Sequence, residues 1–140
     1  ALWNICSWHK NQGEMQAGDK SDETGWEVYE TCREHGALIV TGHSHTYSRT
    51  HVLSDMSSQT IADTTNPLEI IPRQTIAFVS GLGGRSIRGQ ENDGAHLASI
   101  YTEDQDANYG VLFITFNVNS DPTRARGYFK NINNEIIDQF

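Results

Sequence analysis

The order of hydrophobic and polar residues along this chain predicts one early helix followed by many strands. Trp26, Tyr29 and Cys32 recur at intervals of three, which gives a helix a single apolar stripe. The apolar run at positions 37–40, Ala-Leu-Ile-Val, then predicts a short buried strand. In the last third of the chain, apolar runs of strand length alternate with turn residues. The fold class predicted is therefore α/β, mostly strands with one main helix.

The ends of the predicted helix carry capping signals. Thr24 and Glu27 have the spacing of a capping box at the start of a helix. Gly36 suits the position just after a helix, so we expect the helix to end immediately before it. Residues 10–23 and 54–67 are polar and turn-rich, and they are predicted to be a loop and a connection.

A histidine motif directly follows the buried strand predicted at positions 37–40. Residues 42–45 read Gly-His-Ser-His, so a single residue separates His43 from His45. In an extended segment such side chains project to the same side, with Cα atoms roughly 6.5–7 Å apart. That separation suits one nitrogen on each of two metal ions roughly 3.5–4 Å apart. The motif favours metal ligands, although a lone His-x-His pair also occurs in surface loops.

The longer segment 42–49, Gly-His-Ser-His-Thr-Tyr-Ser-Arg, resembles the last metal motif of the calcineurin-like metallophosphoesterases, and among them the purple acid phosphatases most closely. In that superfamily a metal-binding histidine ends a strand ahead of the helix that leads into this motif, and His9 fits that position. The resemblance implies that His9 and His43 bind one metal ion and that His45 binds the other. It implies two metal ions of the Fe, Zn or Mn type.

Two residues of the same motif are candidates for substrate binding. The resemblance implies that Tyr47 and Arg49 lie near the substrate. Arg49 has two interpretations, because its guanidinium either contacts phosphate through two hydrogen bonds or braces the loop by pairing with a carboxylate. The Gly-rich segment 81–84 is interpreted as a tight turn after a strand, which by resemblance borders the substrate pocket. The catalytic residues are not identifiable from the sequence.

The first half of the superfamily's site is missing. There is no Asp-x-His, Asp-x-Gly or Gly-Asn-His motif, and the Gly-Asp pair at 18–19 lies out of order. Three imidazoles without a carboxylate are a poor site for two hard cations, which favour oxygen ligands. We therefore expect residues 1–140 to be the C-terminal portion of a single catalytic domain, half of a layered α/β-β/α sandwich, and to be inactive alone.

The resemblance implies a metal-dependent phosphoester hydrolase that acts on a small-molecule phosphoester. A phosphodiesterase or nucleotidase on the same fold is the nearest alternative. A nonenzymatic, β-rich metal-binding module is a second alternative, and an extracellular adhesion-type domain with incidental histidines is a third. The purple acid phosphatase branch is largely secreted, so the resemblance favours a secreted or periplasmic location.

Charge and cysteine content give further expectations about partners and about disulfide bonds. The formal net charge is -8, from 18 acidic and 10 basic residues, and the charges are scattered. That balance argues against a nucleic-acid partner. No transmembrane segment is evident in the sequence. The two cysteines, Cys6 and Cys32, lack the CxxC spacing of a zinc or redox motif, and we expect two buried thiols rather than a disulfide.

Overall fold

A computed structural model describes residues 2–140, which form one α-helix, ten β-strands and three short 3₁₀ turns. The helix α1 spans Trp26–Glu34. The strands are β1 (Ile5–Ser7), β2 (Leu38–Thr41), β3 (Tyr47–Thr50), β4 (Val52–Asp55), β5 (Thr60–Asp63), β6 (Ala77–Ser80), β7 (Leu97–Tyr101), β8 (Gly110–Phe116), β9 (Ala125–Asn131) and β10 (Ile136–Gln139). The prediction of an α/β chain with mostly strands and one main helix is confirmed.

Five strands form a mixed sheet in the order β1-β2-β6-β3-β7. Strands β1, β2 and β6 are parallel, whereas β3 is antiparallel to both of its neighbours. Because β2 and β3 lie on opposite sides of β6, the segment that joins them must cross the carboxyl end of β6. Strands β8, β9 and β10 form a separate antiparallel sheet.

Apolar clusters hold the helix and the two larger sheets in layers. One cluster lies between α1 and the five-stranded sheet and includes Tyr29 and Ile39. Another includes Leu38 and Phe78 and is covered by Leu112 of the three-stranded sheet, with other side chains of that sheet. Leu38 and Ile39 belong to opposite clusters because successive side chains of a strand point to opposite faces. The five-stranded sheet is therefore the middle layer.

Two local predictions need correction. The N-cap of α1 is Gly25, and the Thr24 hydroxyl donates instead to the carbonyl oxygen of Lys10 at 2.6 Å, so the capping box with Glu27 does not form. The segment 54–67 is not a plain connection, because β5 lies within it and pairs with β4. At the other end of α1 the prediction is confirmed, since Gly36 has a φ of 60°.

The expectation of two free thiols is wrong, because Cys6 and Cys32 form a disulfide. Cys6 lies in β1 and Cys32 lies in the apolar stripe of α1, which faces the sheet. Packing of the helix onto the sheet brings the two Cα atoms to 6.3 Å, within the range that a disulfide spans. The bond ties the edge strand β1 to the helix.

No helix among residues 2–140 has both the length and the apolar character needed to cross a bilayer.

Replacing both cysteines by serine should lower the free energy of unfolding by roughly 3–4 kcal/mol, because the crosslink restricts the unfolded chain. The cysteines are 26 positions apart, so the loop that the bond closes is of moderate length. Urea denaturation with and without a thiol reductant measures this difference. The reductant should destabilise the wild-type chain and leave the double variant unchanged, and equal stability of the two chains would contradict the prediction.

Candidate metal centre

The segment 42–46, called here the histidine arch, passes over the carboxyl end of β6. Gly81, the first residue after β6, lies directly beneath it and donates its amide to the carbonyl oxygen of Thr46 at 2.9 Å. A Cβ atom on Gly81 would lie only 1.7 Å from the carbonyl oxygen of Ser44. No side chain fits in that space, so glycine is required where the arch crosses the strand. Gly81, at the start of the Gly-rich segment 81–84, thus has a definite structural role beneath the arch.

His9 and His43 meet beside the arch, although they are 34 positions apart in the sequence. Each follows the carboxyl end of one of two neighbouring parallel strands, β1 and β2, and the amide of Gly42 donates to the carbonyl oxygen of His9 at 3.3 Å. The Nδ1 atom of His43 lies 2.9 Å from Nε2 of His9, with the rings edge to face. One nitrogen donates a proton and the other accepts it, so the contact requires at least one neutral ring.

Glu23 adds a carboxylate to this pair. Its Oε2 atom lies 2.6 Å from Nε2 of His43, and its Oε1 atom accepts a hydrogen bond from the Lys10 ammonium at 2.8 Å. That hydrogen bond is the main reason why the pKa of Glu23 lies below its usual value. Glu23 could not be predicted from the sequence, because it belongs to a polar loop without periodicity and reaches His43 only through the path of that loop.

The surroundings of His43 favour its neutral form. Partial burial of the ring lowers its pKa, and the positive charge of Lys20 lowers it further, while Glu23 acts in the opposite direction. A neutral imidazole has the lone pair that a metal ion requires. His43 is therefore suited to metal binding near neutral pH.

His45 lies apart from this pair. Its Nδ1 atom is buried and has no hydrogen-bond partner among the described residues. A buried polar atom without a partner is costly, and coordination to a metal would satisfy it. Within residues 2–140, no three His, Cys, Asp or Glu side chains are grouped so as to hold one metal ion. The donors present fit metals that imidazole favours, and oxygen ligands from elsewhere would be needed to complete the coordination.

Tyr47 and Arg49 lie in a buried network with Asp138. The Arg49 guanidinium donates to both carboxylate oxygens of Asp138, at 2.7 and 2.9 Å, and the Tyr47 hydroxyl donates to the same carboxylate at 2.7 Å. Burial and the neighbouring Asp138 charge raise the pKa of Tyr47. Of the two interpretations of Arg49, the structure agrees with pairing to a carboxylate. A contact of Tyr47 or Arg49 with substrate stays a prediction.

In comparisons with protein-family models, with curated proteins and with solved structures, nothing matched this chain. The resemblance to metallophosphoesterases therefore stays a prediction from the histidine motifs.

Gly81→Ala should displace the histidine arch, because the added methyl group would overlap the Ser44 carbonyl oxygen. We expect a loss of stability of roughly 1–3 kcal/mol, the usual cost of overpacking, together with weaker metal binding. Gly83→Ala is the matched control, since a Cβ atom at Gly83 meets no atom within 4 Å. Thermal unfolding and metal titration of both variants test this. Similar behaviour of the two variants would show that the arch does not depend on Gly81.

The pKa of His43 in the metal-free chain should lie below 6.5, the value of an unperturbed histidine. A histidine whose pKa is lower in the folded state than in the unfolded state binds fewer protons when folded. Its contribution to stability is therefore full above about pH 6.5 and is lost as the pH falls below that value. NMR titration of the ring protons measures the pKa directly.

The variant Glu23→Gln should lower the pKa of His43 further, because it removes the negative charge that favours the imidazolium. Glu69→Gln, at an exposed carboxylate outside this loop, is the control. A pKa of His43 above 6.5, or one that does not respond to Glu23→Gln, would be inconsistent with this description of the site.

Proposed function

We propose that this chain is the C-terminal portion of a metal-dependent phosphoester hydrolase, with His9, His43 and His45 as ligands of two metal ions. The observation that carries the proposal is the contact between His9 and His43, at 2.9 Å, where two parallel strands end. The sequence motifs indicate these two of the six histidines in the chain as metal ligands. Their proximity supports a shared ligand role.

Hydrolysis of a phosphoester requires neutralisation of charge on the phosphoryl oxygens and a water molecule activated near neutral pH. Two bound metal ions supply both, because they lower the pKa of bound water to about 7 and hold the attacking and leaving oxygens. The residues of the chain position the ligands. Gly81 supports the arch, and Glu23 contacts one ring nitrogen of His43, as the outer partner of a ligating histidine does.

In this proposal the remaining ligands, including a bridging aspartate, come from another segment of the parent protein. The proposed fold is one half of a layered α/β-β/α sandwich. Strands β1 and β8 are edge strands here, and they carry exposed apolar side chains, with Ile5 54% and Phe113 43% exposed. Such edges are where further strands would pair and bury these side chains. The 140-residue chain alone is expected to be inactive.

Two further parts of the proposal concern substrate and location. A small-molecule phosphomonoester is the favoured substrate, and a phosphodiester or nucleotide on the same fold is the alternative. The disulfide between Cys6 and Cys32 supports a secreted or periplasmic location, because disulfides persist in oxidising compartments.

A nonenzymatic metal-binding module is the second candidate function. The contact between His9 and His43 favours it, because a metal-binding module needs such a pair without the further ligands that hydrolysis requires.

Replacing His9 or His43 by alanine should weaken Zn²⁺ or Mn²⁺ binding by more than about 10–100-fold, the loss typical of an outer-shell partner alone. His35→Ala is the matched control, because His35 is exposed at the end of α1. Equilibrium dialysis against each metal ion measures the affinity, and equal affinity in all three variants would refute the ligand assignment.

Hydrolysis of p-nitrophenyl phosphate by the parent protein tests the enzyme proposal separately. The coding sequence upstream of residue 1 is expected to encode Asp-x-His or Asp-x-Gly, Gly-Asp and Gly-Asn-His motifs in that order. Metal binding that depends on His9 and His43 without hydrolysis by the parent protein would support the binding module instead.

A further inference from the structure

The loop of residues 10–23 packs tightly against the histidine arch. A Cβ atom on Gly18 would lie 2.5 Å from the hydroxyl oxygen of Ser44 and 3.1 Å from a methyl carbon of Thr46. The backbone of the loop therefore touches the arch on both sides of His45. A loop held this closely places its residues next to the arch that carries His43 and His45.

Contacts of Lys20 and of the preceding residue fix the backbone position of Lys20 in this loop. The side-chain amide of Gln16, which is fully buried, donates to the carbonyl oxygen of Lys20. The preceding residue, Asp19, pairs with the Arg88 guanidinium at 2.5 Å. The amide of Arg88 in turn donates to the carbonyl oxygen of His45 at 3.2 Å. Lys20 is thus anchored beside the arch through backbone and side-chain contacts.

The Lys20 ammonium has no ion-pair or hydrogen-bond partner among residues 2–140. Lys10, by contrast, is paired with Glu23. Lys20 lies in the loop between Gly18, which packs against the arch, and Glu23, which contacts His43. In a chain with 18 acidic residues, a cation in this loop that is not paired with a carboxylate is available to an anionic ligand.

We propose that Lys20 binds the anionic oxygens of the substrate's phosphate group beside His9 and His43. This inference rests on the proposed function and specifies how the substrate is recognised. A lysine ammonium is a compact charge on a flexible side chain. It can therefore adjust its position to a phosphate group that other residues orient. Its hydrogen bonds to phosphate are charge-assisted and hence among the stronger ones.

The positive charge of Lys20 also distinguishes phosphomonoesters from phosphodiesters. A phosphomonoester carries close to two negative charges at neutral pH, whereas a phosphodiester carries one. Lys20 therefore stabilises the bound monoester more than the bound diester. This favours monoesters among the substrates considered for the site.

Calorimetric titration with inorganic phosphate, and with dimethyl phosphate as the singly charged probe, tests the role of Lys20. The titrations use the 140-residue chain with and without Mn²⁺. Lys20→Gln should weaken phosphate binding about tenfold, the loss of one charge-assisted contact, and should affect dimethyl phosphate less. Lys20→Arg should restore much of the affinity. Lys130→Gln, at a lysine in β9 of the other sheet, is the matched control and should bind phosphate like the wild-type chain.

Three outcomes would overturn the inference: unchanged phosphate affinity in Lys20→Gln, an equal loss in Lys130→Gln, or no phosphate binding by the wild-type chain under either condition. Mn²⁺ affinity, measured on the same samples, should be the same in Lys20→Gln and wild type. Binding of Mn²⁺ but not of phosphate by the wild-type chain refutes the role of Lys20 and does not contradict the metal-centre proposal. Lys20-dependent phosphate binding without any Mn²⁺ binding supports Lys20 and shows that residues 1–140 alone do not hold the metal ion, so that hydrolysis by the parent protein then decides the proposed function.

Discussion

The crossing of the histidine arch over β6 is the constraint on which the candidate site depends. Strands β2 and β3 lie on opposite sides of β6, so the five residues between them must pass over its carboxyl end. Gly81 allows this crossing because the carbonyl oxygen of Ser44 occupies the space where a side chain would be. The same edge of the sheet contains the end of β1, and this is why His9 and His43 meet there. The loop that carries Lys20 then packs against the outer side of the arch.

The Arg49–Asp138 ion pair anchors the strand that leaves the arch. Arg49 lies in β3 and Asp138 in β10, so the pair joins the five-stranded sheet to the three-stranded sheet. Removal of one partner of a buried pair typically costs about 3–5 kcal/mol, because the other charge is left without compensation. The hydroxyl of Tyr47 also donates to Asp138, and the ring of Phe140 lies 4.8 Å from the guanidinium carbon. Tyr47 and Arg49, two and four positions after His45, thereby fix the arch to the second sheet.

Elements with a periodic or continuous apolar pattern were predictable from the sequence, whereas features decided by long-range packing were not. The apolar run at 37–40 and the stripe of α1 predicted their elements because periodicity reports burial. The disulfide depends on how α1 packs onto the sheet, and no local pattern relates Cys6 to Cys32. Glu23 and Lys20 were missed for a similar reason. Their loop owes its path to hydrogen bonds such as that from the Gly13 amide to Asp22, which leave no periodic signal.

The contact between His9 and His43 occupies nitrogens that a metal ion would need. The strength of this hydrogen bond therefore decides how far the contact opposes metal binding. A hydrogen bond of this kind contributes only about 0.5–1.5 kcal/mol to stability. A complete structural zinc site provides about 10–16 kcal/mol. The free energy lost when this hydrogen bond breaks is therefore small compared with the free energy that metal coordination provides. The pair instead reduces the entropy lost when the ligands are ordered, because the contact at 2.9 Å already holds the two rings together. Metal affinity then depends chiefly on the supply of oxygen ligands, and of the described residues Glu23 is the carboxylate that already contacts the pair.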